Sequence, residues 1–198
     1  MRAMADHGDG AVAGLGVVMR LTILSFGGIF ALSGAIGGII GQNAGAGLKD
    51  RVASAYLDSL KFCVFYTVVV WGTLGLFADT VASAFGLSGE GAEVVRVFSF
   101  YAAGSFLFTG ALFVANSAFN NLGKPVWATL ANWLRDGALM GPLAMLMGGL
   151  FGVGGVVMAQ ALANVIAGLG AGWLGWRYVR AGHGIEPRGG AKQAGKVA

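Results

Sequence analysis

Five long apolar runs, separated by short polar or glycine-rich breaks, make up most of the chain. A helix needs about 20 apolar residues to cross a hydrocarbon core of about 30 Å, and each run has about that length or more. The runs cover residues 11–41, 56–76, 94–119, 126–151 and 153–178. Short connections between long helices favour antiparallel neighbours. The pattern therefore predicts an all-α, polytopic transmembrane helix bundle of about five spans.

Basic residues are concentrated at one set of helix ends, which predicts the orientation of the bundle. Lys and Arg in short loops mark the cytoplasmic side. One set of ends holds Lys49, Arg51, Lys124, Arg177, Arg180, Arg188, Lys192 and Lys196, and the other set holds Arg2 and Arg96. We expect an integral multi-pass protein of the plasma (inner) membrane, with its N-terminus outside and its C-terminus in the cytoplasm.

The bundle is flanked by two tails. Residues 1–10 form a polar N-terminal tail, residues 11–180 form the transmembrane bundle, and residues 181–198 form a basic cytoplasmic tail. The first tail lacks the charge pattern and cleavage site of a signal peptide. Because five spans is an odd number and no signal peptide precedes them, we expect further helices upstream in the complete protein.

Composition supports a lipid environment. Charged residues make up 11% of the 198 residues, against about 25% in soluble domains, and the mean hydropathy is +0.73. The net charge of +4 is scattered over tails and loops and forms no basic face, so we expect no nucleic-acid partner. Cys63 is alone, and we interpret it as a structural thiol.

The residue types needed for enzymatic chemistry are not arranged in any familiar pattern. His7 and His183 lie in polar tails, no Cys or His pair has the spacing of metal ligands, and no phosphate-binding glycine loop occurs. We therefore predict that the protein is not an enzyme and uses no metal or organic cofactor. Glycine pairs at a spacing of four, such as Gly37 with Gly41 and Gly168 with Gly172, indicate close helix packing instead.

Polar side chains inside the apolar runs are the candidates for function. A charge at bilayer depth costs about 2.5 to 3.5 kcal/mol, so it faces a partner or a water-filled cavity. The charged candidates are Arg20, Arg135 and Asp136, and the amide candidates are Asn116, Asn120, Asn132, Gln160 and Asn164. Adjacent helical residues point about 100° apart, so we expect Arg135 to turn away from Asp136. Cavity lining and interhelical pairing both stay open for Arg135.

Aromatic residues crowd the third run and allow two interpretations. They are Phe98, Phe100, Tyr101, Phe106, Phe108, Phe113 and Phe119. Packing, including contact with lipid, is the simpler role, and lining of a drug-sized cavity is the alternative.

Two longer motifs resemble one known family. Residues 38–47 read GIIGQNAGAG and are followed by DRV at 50–52, and residues 115–125 read ANSAFNNLGKP, with NWLR following at 132–135. Their order and spacing are similar to the multidrug and toxic compound extrusion (MATE) transporters, over about residues 11–180. The resemblance implies helices eight to twelve of a twelve-helix antiporter, a partial C-terminal lobe. Such transporters exchange cationic or amphipathic compounds for Na⁺ or H⁺ by alternating access.

The first motif is interpreted as structural. Gln42 and Asn43 are expected to cap a helix end, and Gly45 and Gly47 to allow a tight turn. Gly41 and Arg51 belong to the same motif. The chain departs from the family pattern at a position relevant to the coupling ion. Many members read Arg-Ile-Glu where this chain has Arg20-Leu21-Thr22, so this chain has Thr22 in place of an intramembrane acid.

These observations lead to one functional prediction and two alternatives. We expect a fragment of a secondary active efflux transporter that is incomplete alone and needs an N-terminal lobe or another copy. Its cavity wall is assigned to Arg20, Asn116, Asn132 and Arg135, with Asp136, Asn120, Gln160 and Asn164 in support, and Na⁺ or H⁺ is the coupling ion. A lipid-linked oligosaccharide flippase of the related superfamily and a membrane protein that only assembles with a partner are the alternatives. A membrane enzyme is a third class, and the absence of clustered acids or His argues against it.

Overall fold

The computed structural model describes residues 9–186, all of whose regular structure is helical. The outer parts of the two predicted tails, residues 1–8 and 187–198, with Arg2, Arg188, Lys192 and Lys196, lie outside the described residues. The helices, in chain order, are α1 (Asp9–Ser25), α2 (Gly27–Gly45), α3 (Lys49–Leu76), α4 (Ala78–Ala84), α5 (Gly89–Val97), α6 (Phe106–Asn121), α7 (Pro125–Trp133) and α8 (Met140–Arg180).

Two π-helical turns and one 3-10 turn interrupt the later helices. A π-helical turn, Phe98–Ala102, and a 3-10 turn, Ala103–Ser105, join α5 to α6. A second π-helical turn, Leu134–Leu139, joins α7 to α8. Because these turns keep the chain helical, Gly89–Asn121 and Pro125–Arg180 each form one long helical segment.

Three of these segments are long and apolar enough to cross a membrane, namely Lys49–Leu76, Gly89–Asn121 and Pro125–Arg180. A fourth candidate is the pair α1 and α2, which is bent by 46° at its break. The last segment has 56 residues, about 84 Å of helix at 1.5 Å per residue, against a core of about 30 Å. Gly152, with φ 61° and ψ −144°, divides it. Counting its two arms separately gives five segments; their individual limits as spans stay predictions.

The helix boundaries add detail to the predicted apolar runs. The first run, residues 11–41 with Arg20 as its polar interruption, has a helix break at Phe26, whose φ of −107° and ψ of 13° are non-helical. Phe26 is fully buried and its ring stacks on that of Phe106 at 3.9 Å, so a tertiary contact holds the bend. The second run was predicted as a span from about residue 56; α3 contains it and begins at Lys49, with a more polar first turn.

The GQN motif ends α2 in a glycine turn. The amide of Gly47 donates to the carbonyl of Ala44 and the amide of Leu48 donates to that of Asn43, which is the pattern of a Schellman helix end. Gly47 has φ 73°, a conformation that favours glycine. The predicted turn at Gly47 is thus confirmed.

Other members of the motif act differently from the prediction. The Asn43 side chain donates to the carbonyl of Ile39 within α2 and Gln42 is exposed, so backbone amides cap the helix end. Gly45 remains the last helical residue and has open space around it. Gly41 serves packing, because a Cβ there would lie 2.9 Å from Oδ1 of Asn121. Arg51 is exposed in the first turn of α3.

α6 lies at the centre of the bundle and packs against α2, α3, α7 and α8. Its contact with α8 is made by glycines: a Cβ on Gly168 would collide with the backbone of Phe108, and one on Gly172 would lie 3.3 Å from Cβ of Ala111. The predicted close approach at this glycine pair is confirmed. On the outer faces, large apolar side chains such as Leu24, Phe65, Leu76 and Met145 are more than two-thirds exposed, as expected of surfaces in contact with lipid.

Candidate functional site

A partly polar cavity of about 300 Å³ lies between α1, α2, α6, the second π-helical turn and α8. Its polar lining residues are Thr22, Thr109, Arg135, Asp136, Gln160 and Asn164, and its apolar wall includes Phe30, Phe106, Phe113 and Met140. Residues far apart in sequence therefore converge on one site in a bundle whose outer surface is apolar. A pocket that combines apolar walls with a few polar groups is the usual form of a small-molecule site.

Arg135 and Asp136 form a bidentate ion pair at this cavity. Nε of Arg135 donates to Oδ1 of Asp136 at 2.8 Å, and Nη2 donates to Oδ2 at 2.9 Å. The expectation that Arg135 turns away from Asp136 is wrong. Both residues belong to the π-helical turn, where each turn holds more residues than in an α-helix, so adjacent side chains diverge less. The long, flexible side chain of Arg135 bends toward Asp136 across the angle that still separates the two side chains.

The two partners of the pair differ in exposure. The side chain of Arg135 is 18% exposed and that of Asp136 is 63% exposed. The guanidinium also lies 6.0 Å from the ring centroid of Phe113, within the range of a cation–π contact. Arg135 is therefore held on two sides, whereas the carboxylate of Asp136 remains accessible from the open side of the cavity.

Gln160 and Asn164 place two amides on the same wall, because residues four apart share one face of a helix. Asn164 is 5% exposed and its Nδ2 donates to Oγ of Ser105 at 3.2 Å. Gln160 is exposed. Thr109, on α6, has a buried hydroxyl without a hydrogen-bond partner among the described residues. The site thus combines one fixed amide, one free amide and one charge pair.

The other predicted candidates do not line this cavity. Arg20 is exposed on α1, and Asn120 is exposed near the end of α6. Nδ2 of Asn132 donates to the carbonyl of Ala128 at 2.9 Å within its own helix. Asn116 is half-buried, and its Oδ1 has no partner among the described residues. Of the eight predicted residues, the structure brings together Arg135, Asp136, Gln160 and Asn164.

Thr22 and Thr109 were not predicted as candidates. Thr22 follows Arg20 by two residues, about 200° around a helix, so the two side chains point to nearly opposite sides. Arg20 faces outward and Thr22 enters the cavity. A weakly polar hydroxyl in an apolar run gives little signal in a sequence. Of the crowded aromatics, Phe106 and Phe113 line the cavity.

Within the part of the chain that the structure describes, no group of three or more His, Cys, Asp or Glu side chains could hold a metal ion. The cavity can offer a guanidinium, a carboxylate, two amides, two hydroxyls and aromatic faces. This set suits reversible binding of a small molecule by charge, hydrogen bonds and ring contacts.

The fold, with its long apolar helices, defines an integral, multi-pass helical membrane protein. The family model described as MatE matches residues 1–146. The chain belongs to the MatE family, whose solved members are transporters and not enzymes.

Two curated proteins and two solved structures show how far the similarity extends. An "FAD transporter" of Shewanella oneidensis is 30% identical over 177 residues, 89% of this chain and 39% of that protein. An "uncharacterized 21 kDa protein in iaaL 5'region" of Pseudomonas savastanoi is 39% identical over 90 residues, 46% of this chain and 30% of that protein.

Among solved structures, the Vibrio cholerae MATE transporter VcmN in its bent form matches with a TM-score of 0.83 at 21% identity, over 91% of this chain and 41% of that one. An outward-facing multidrug resistance MATE family transporter matches with a TM-score of 0.82 at 19% identity, again over 91% and 41%. The chain therefore spans about two-fifths of the length of these transporters and matches their fold as a partial lobe.

Proposed function

We propose that this chain forms part of a secondary active efflux transporter and that the 300 Å³ cavity is its share of the substrate pathway. The observation that supports this proposal is the convergence of an ion pair and two amides on one cavity inside a bundle with apolar outer surfaces. Groups of this kind are costly at bilayer depth and are retained where they face substrate, ion or water. The mechanism would be alternating access, in which one lobe rocks against another around a central site.

A partner lobe is part of the proposal. Asp136 and Gln160 are exposed in this chain although both lie within predicted spans. Lipid tails cannot satisfy a carboxylate or an amide, so these groups face water or protein, and the proposal assigns a second protein surface to the open side of the cavity. An N-terminal lobe, or another copy of this chain, would supply it. The coverage of about two-fifths of the transporter relatives supports the same arrangement.

The first candidate substrates are cationic or amphipathic compounds, exchanged for Na⁺ or H⁺. The accessible carboxylate of Asp136 can attract a cation, and the rings of Phe30, Phe106 and Phe113 can contact an apolar or aromatic body. Coupling requires that the ion and the substrate favour different states of the protein.

A flavin dinucleotide is a second candidate substrate. The Shewanella oneidensis relative that matches 89% of this chain is named an FAD transporter. Arg135 could bind a phosphate oxygen, the interaction in which a guanidinium is strongest, if it were released from Asp136. The oligosaccharide flippase is less well supported, because Arg135 is the one basic residue among the described residues that line the cavity.

Binding measurements can separate these candidates. The purified chain in lipid nanodiscs would be titrated with ethidium, a fluorescent cation, and with FAD, a fluorescent anion. A cation site predicts that Asp136→Asn weakens ethidium binding about tenfold or more, and a phosphate site predicts the same loss of FAD binding in Arg135→Ala. Asp79→Asn is the matched control, since it removes the ion pair of Asp79 with Arg96, which does not line the cavity. Unchanged binding in both cavity variants would contradict the proposed site.

Arg135→Ala also distinguishes a transporter from an assembly protein. Loss of binding with normal membrane insertion supports a cavity role, whereas loss of insertion or of association supports packing alone. The need for a partner lobe has its own test in proteoliposomes. If the chain alone drives ion-dependent efflux of ethidium, the claim that it is incomplete is wrong.

We further propose that the protein lies in the inner membrane with its N-terminus outside. The support is the excess of Lys and Arg at one set of helix ends. A single cysteine at Glu90, in a background where Cys63 is replaced by Ser, should react with an impermeant maleimide from the outside. Labelling from the cytoplasmic side only would show that the orientation is the opposite of the one proposed.

A further inference from the structure

The bend between α1 and α2 leaves two backbone groups without their usual helical partners. In a continuous helix, the amide of Ile29 would donate to the carbonyl of Ser25, and the amide of Gly28 would donate to that of Leu24. Here the amide of Ile29 donates to the carbonyl of Phe26 at 3.0 Å instead. Gly28 lies in the first turn of α2, where no carbonyl of that helix can accept from its amide. The carbonyl of Ser25 and the amide of Gly28 therefore need partners from another element.

One tyrosine hydroxyl on α3 bonds to both of these groups. Oη of Tyr66 donates to the carbonyl of Ser25 at 2.9 Å and accepts from the amide of Gly28 at 3.3 Å. A phenolic hydroxyl can donate and accept at the same time, so a single atom of α3 bridges the break. Unpaired backbone groups are costly inside a bilayer, so this hydroxyl stabilises the bent arrangement of α1 and α2.

The ring of Tyr66 also fits closely against the break. A Cβ on Gly28 would lie 2.6 Å from Cε2 of that ring, whereas a Cβ on Gly27 would have open space around it. On its own helix, the ring stacks on that of Phe62, with centroids 5.6 Å apart. The contact thus requires glycine at position 28 and makes no such demand at position 27.

The same bend shapes the cavity. Thr22 on α1 and Phe30 on α2 lie on opposite sides of the break, and both line the cavity. In an unbroken helix they would lie about 12 Å apart along the axis and point about 80° apart. The bend of 46° allows both side chains to face one space. At the break itself, the ring of Phe26 stacks at 3.9 Å on that of Phe106, which also lines the cavity.

We propose that Tyr66 is the positioning residue of this cavity. Its hydroxyl fixes the angle between α1 and α2, and so fixes how the walls that carry Thr22 and Phe30 face each other. Tyr66 does not line the cavity, so it acts through the two helices and not by touching a solute. Binding side chains depend on supporting hydrogen bonds of this kind. The effect on solute binding rests on the proposed function, whereas the effect on the bend does not.

The first test measures the bend without any ligand. Spin labels at Val12 and Ile39, which are 52% and 46% exposed, report the distance across the break by double electron–electron resonance in nanodiscs, with Cys63 replaced by Ser. The two arms are about 21 and 20 Å long at 1.5 Å per residue. With a bend of 46°, straightening would move the labels apart by about 3 Å. Tyr66→Phe keeps the ring and removes the hydroxyl, so we expect a longer or broader distance distribution.

Tyr56→Phe is the matched control for this measurement. It also removes a tyrosine hydroxyl of α3 that donates to a backbone carbonyl, but that carbonyl belongs to Gly172 on α8. The control should keep the wild-type distance. A distribution that Tyr66→Phe leaves unchanged overturns the proposal.

The second test titrates the same variants with ethidium and with FAD in nanodiscs. Tyr66→Phe should weaken the binding of whichever probe the wild type binds several-fold, although Tyr66 lies outside the cavity. Tyr56→Phe should leave binding unchanged, which separates positioning from a general loss of stability. Gly28→Ala, which displaces the ring of Tyr66, should act like Tyr66→Phe, and Gly27→Ala should bind like the wild type.

The two measurements together decide the role of Tyr66. A changed distance with unchanged binding overturns its role in the cavity, and weakened binding with an unchanged distance overturns its action through the bend. If the wild type binds neither probe, the proposed function fails, and the distance in Tyr66→Phe still decides whether the hydroxyl holds the bend.

Discussion

One face of α8 lines the cavity over its first part and packs closely against α6 over its second part. Gln160, Asn164, Gly168 and Gly172 follow one another at intervals of four, so they lie on the same face of the helix. The first two line the cavity, and the last two contact the backbone and side chains of α6. We call Gly168, Gly172 and Gly175, together with their contacts, the seam. The seam is thus continuous with the cavity wall.

The difference between seam and cavity comes from side-chain size. In the seam, glycine allows α6 to approach until backbone atoms touch, which is how helices gain packing energy in lipid. One and two turns earlier, Asn164 and Gln160 keep the helices apart and present amides to the space that results. A change of residues along one face of α8 thus places a polar cavity beside a rigid contact, so mutations in the two regions should differ in kind: those in the seam should affect stability and those in the cavity should affect binding.

The largest effect on stability is expected for Gly168→Ala. A Cβ at this position would overlap the carbonyl group of Phe108, which is backbone and cannot rotate away. Overpacking of this kind costs about 3 kcal/mol. The measurement is the midpoint of unfolding in detergent of the purified protein. Gly170→Ala, two residues away with open space around it, should be neutral or slightly stabilising; equal losses in both variants would show that the seam is not a close contact.

The next effect is expected for Asn164→Ala, at the border of seam and cavity. It removes the bond from Nδ2 to Oγ of Ser105 and leaves that buried hydroxyl without its partner, a cost of about 1.5 kcal/mol. Ser105→Ala and the double variant complete a cycle. The double variant should cost clearly less than the sum of the two single changes; full additivity would mean that the pair contributes nothing.

A smaller loss is expected for Tyr56→Phe, which tests the seam from the side of α3. The hydroxyl of Tyr56 donates to the carbonyl of Gly172 at 2.8 Å, and Tyr56 is fully buried. Loss of this bond should lower the free energy of unfolding by about 1 kcal/mol. Tyr101→Phe, at a position that is 67% exposed, should cost less than about 0.5 kcal/mol. A larger effect at Tyr101 would contradict the assignment of the seam.

The seam was easier to predict from the sequence than the cavity. Gly168 and Gly172 stand out by spacing alone, and Gly47 and Gly152 mark turns because their backbone angles favour glycine. The π-helical turn at Arg135 leaves no such mark, and at the bend the glycines Gly27 and Gly28 do not show that the ring of Phe26 will stack on that of Phe106. The pairing of Arg135 with Asp136 depends on that turn, and the geometry of a regular helix argued against it.

The cavity residues show the same limit. Polarity inside an apolar run identified Arg135, Asp136, Gln160 and Asn164, which the structure brings together, but also Arg20 and Asn132, which it does not. A linear sequence shows that a residue is polar and does not show which way a bent helix turns it. On α1, the side chain of Thr22 is less polar than that of Arg20, yet Thr22 lines the cavity because the orientation of the helix places it there.

The smallest effect on stability is expected for Gln160→Ala, and it distinguishes the two regions most sharply. Gln160 is exposed at the cavity, so its truncation should change the free energy of unfolding by less than about 0.5 kcal/mol. If Gln160 contacts the bound solute, the same change should weaken binding of ethidium or FAD in nanodiscs several-fold. Leu169→Ala, at a position that is 57% exposed on the same helix and outside the cavity, should leave binding unchanged. Destabilisation by Gln160→Ala as large as that by Gly168→Ala would remove the distinction, since the cavity wall would then be as closely packed as the seam.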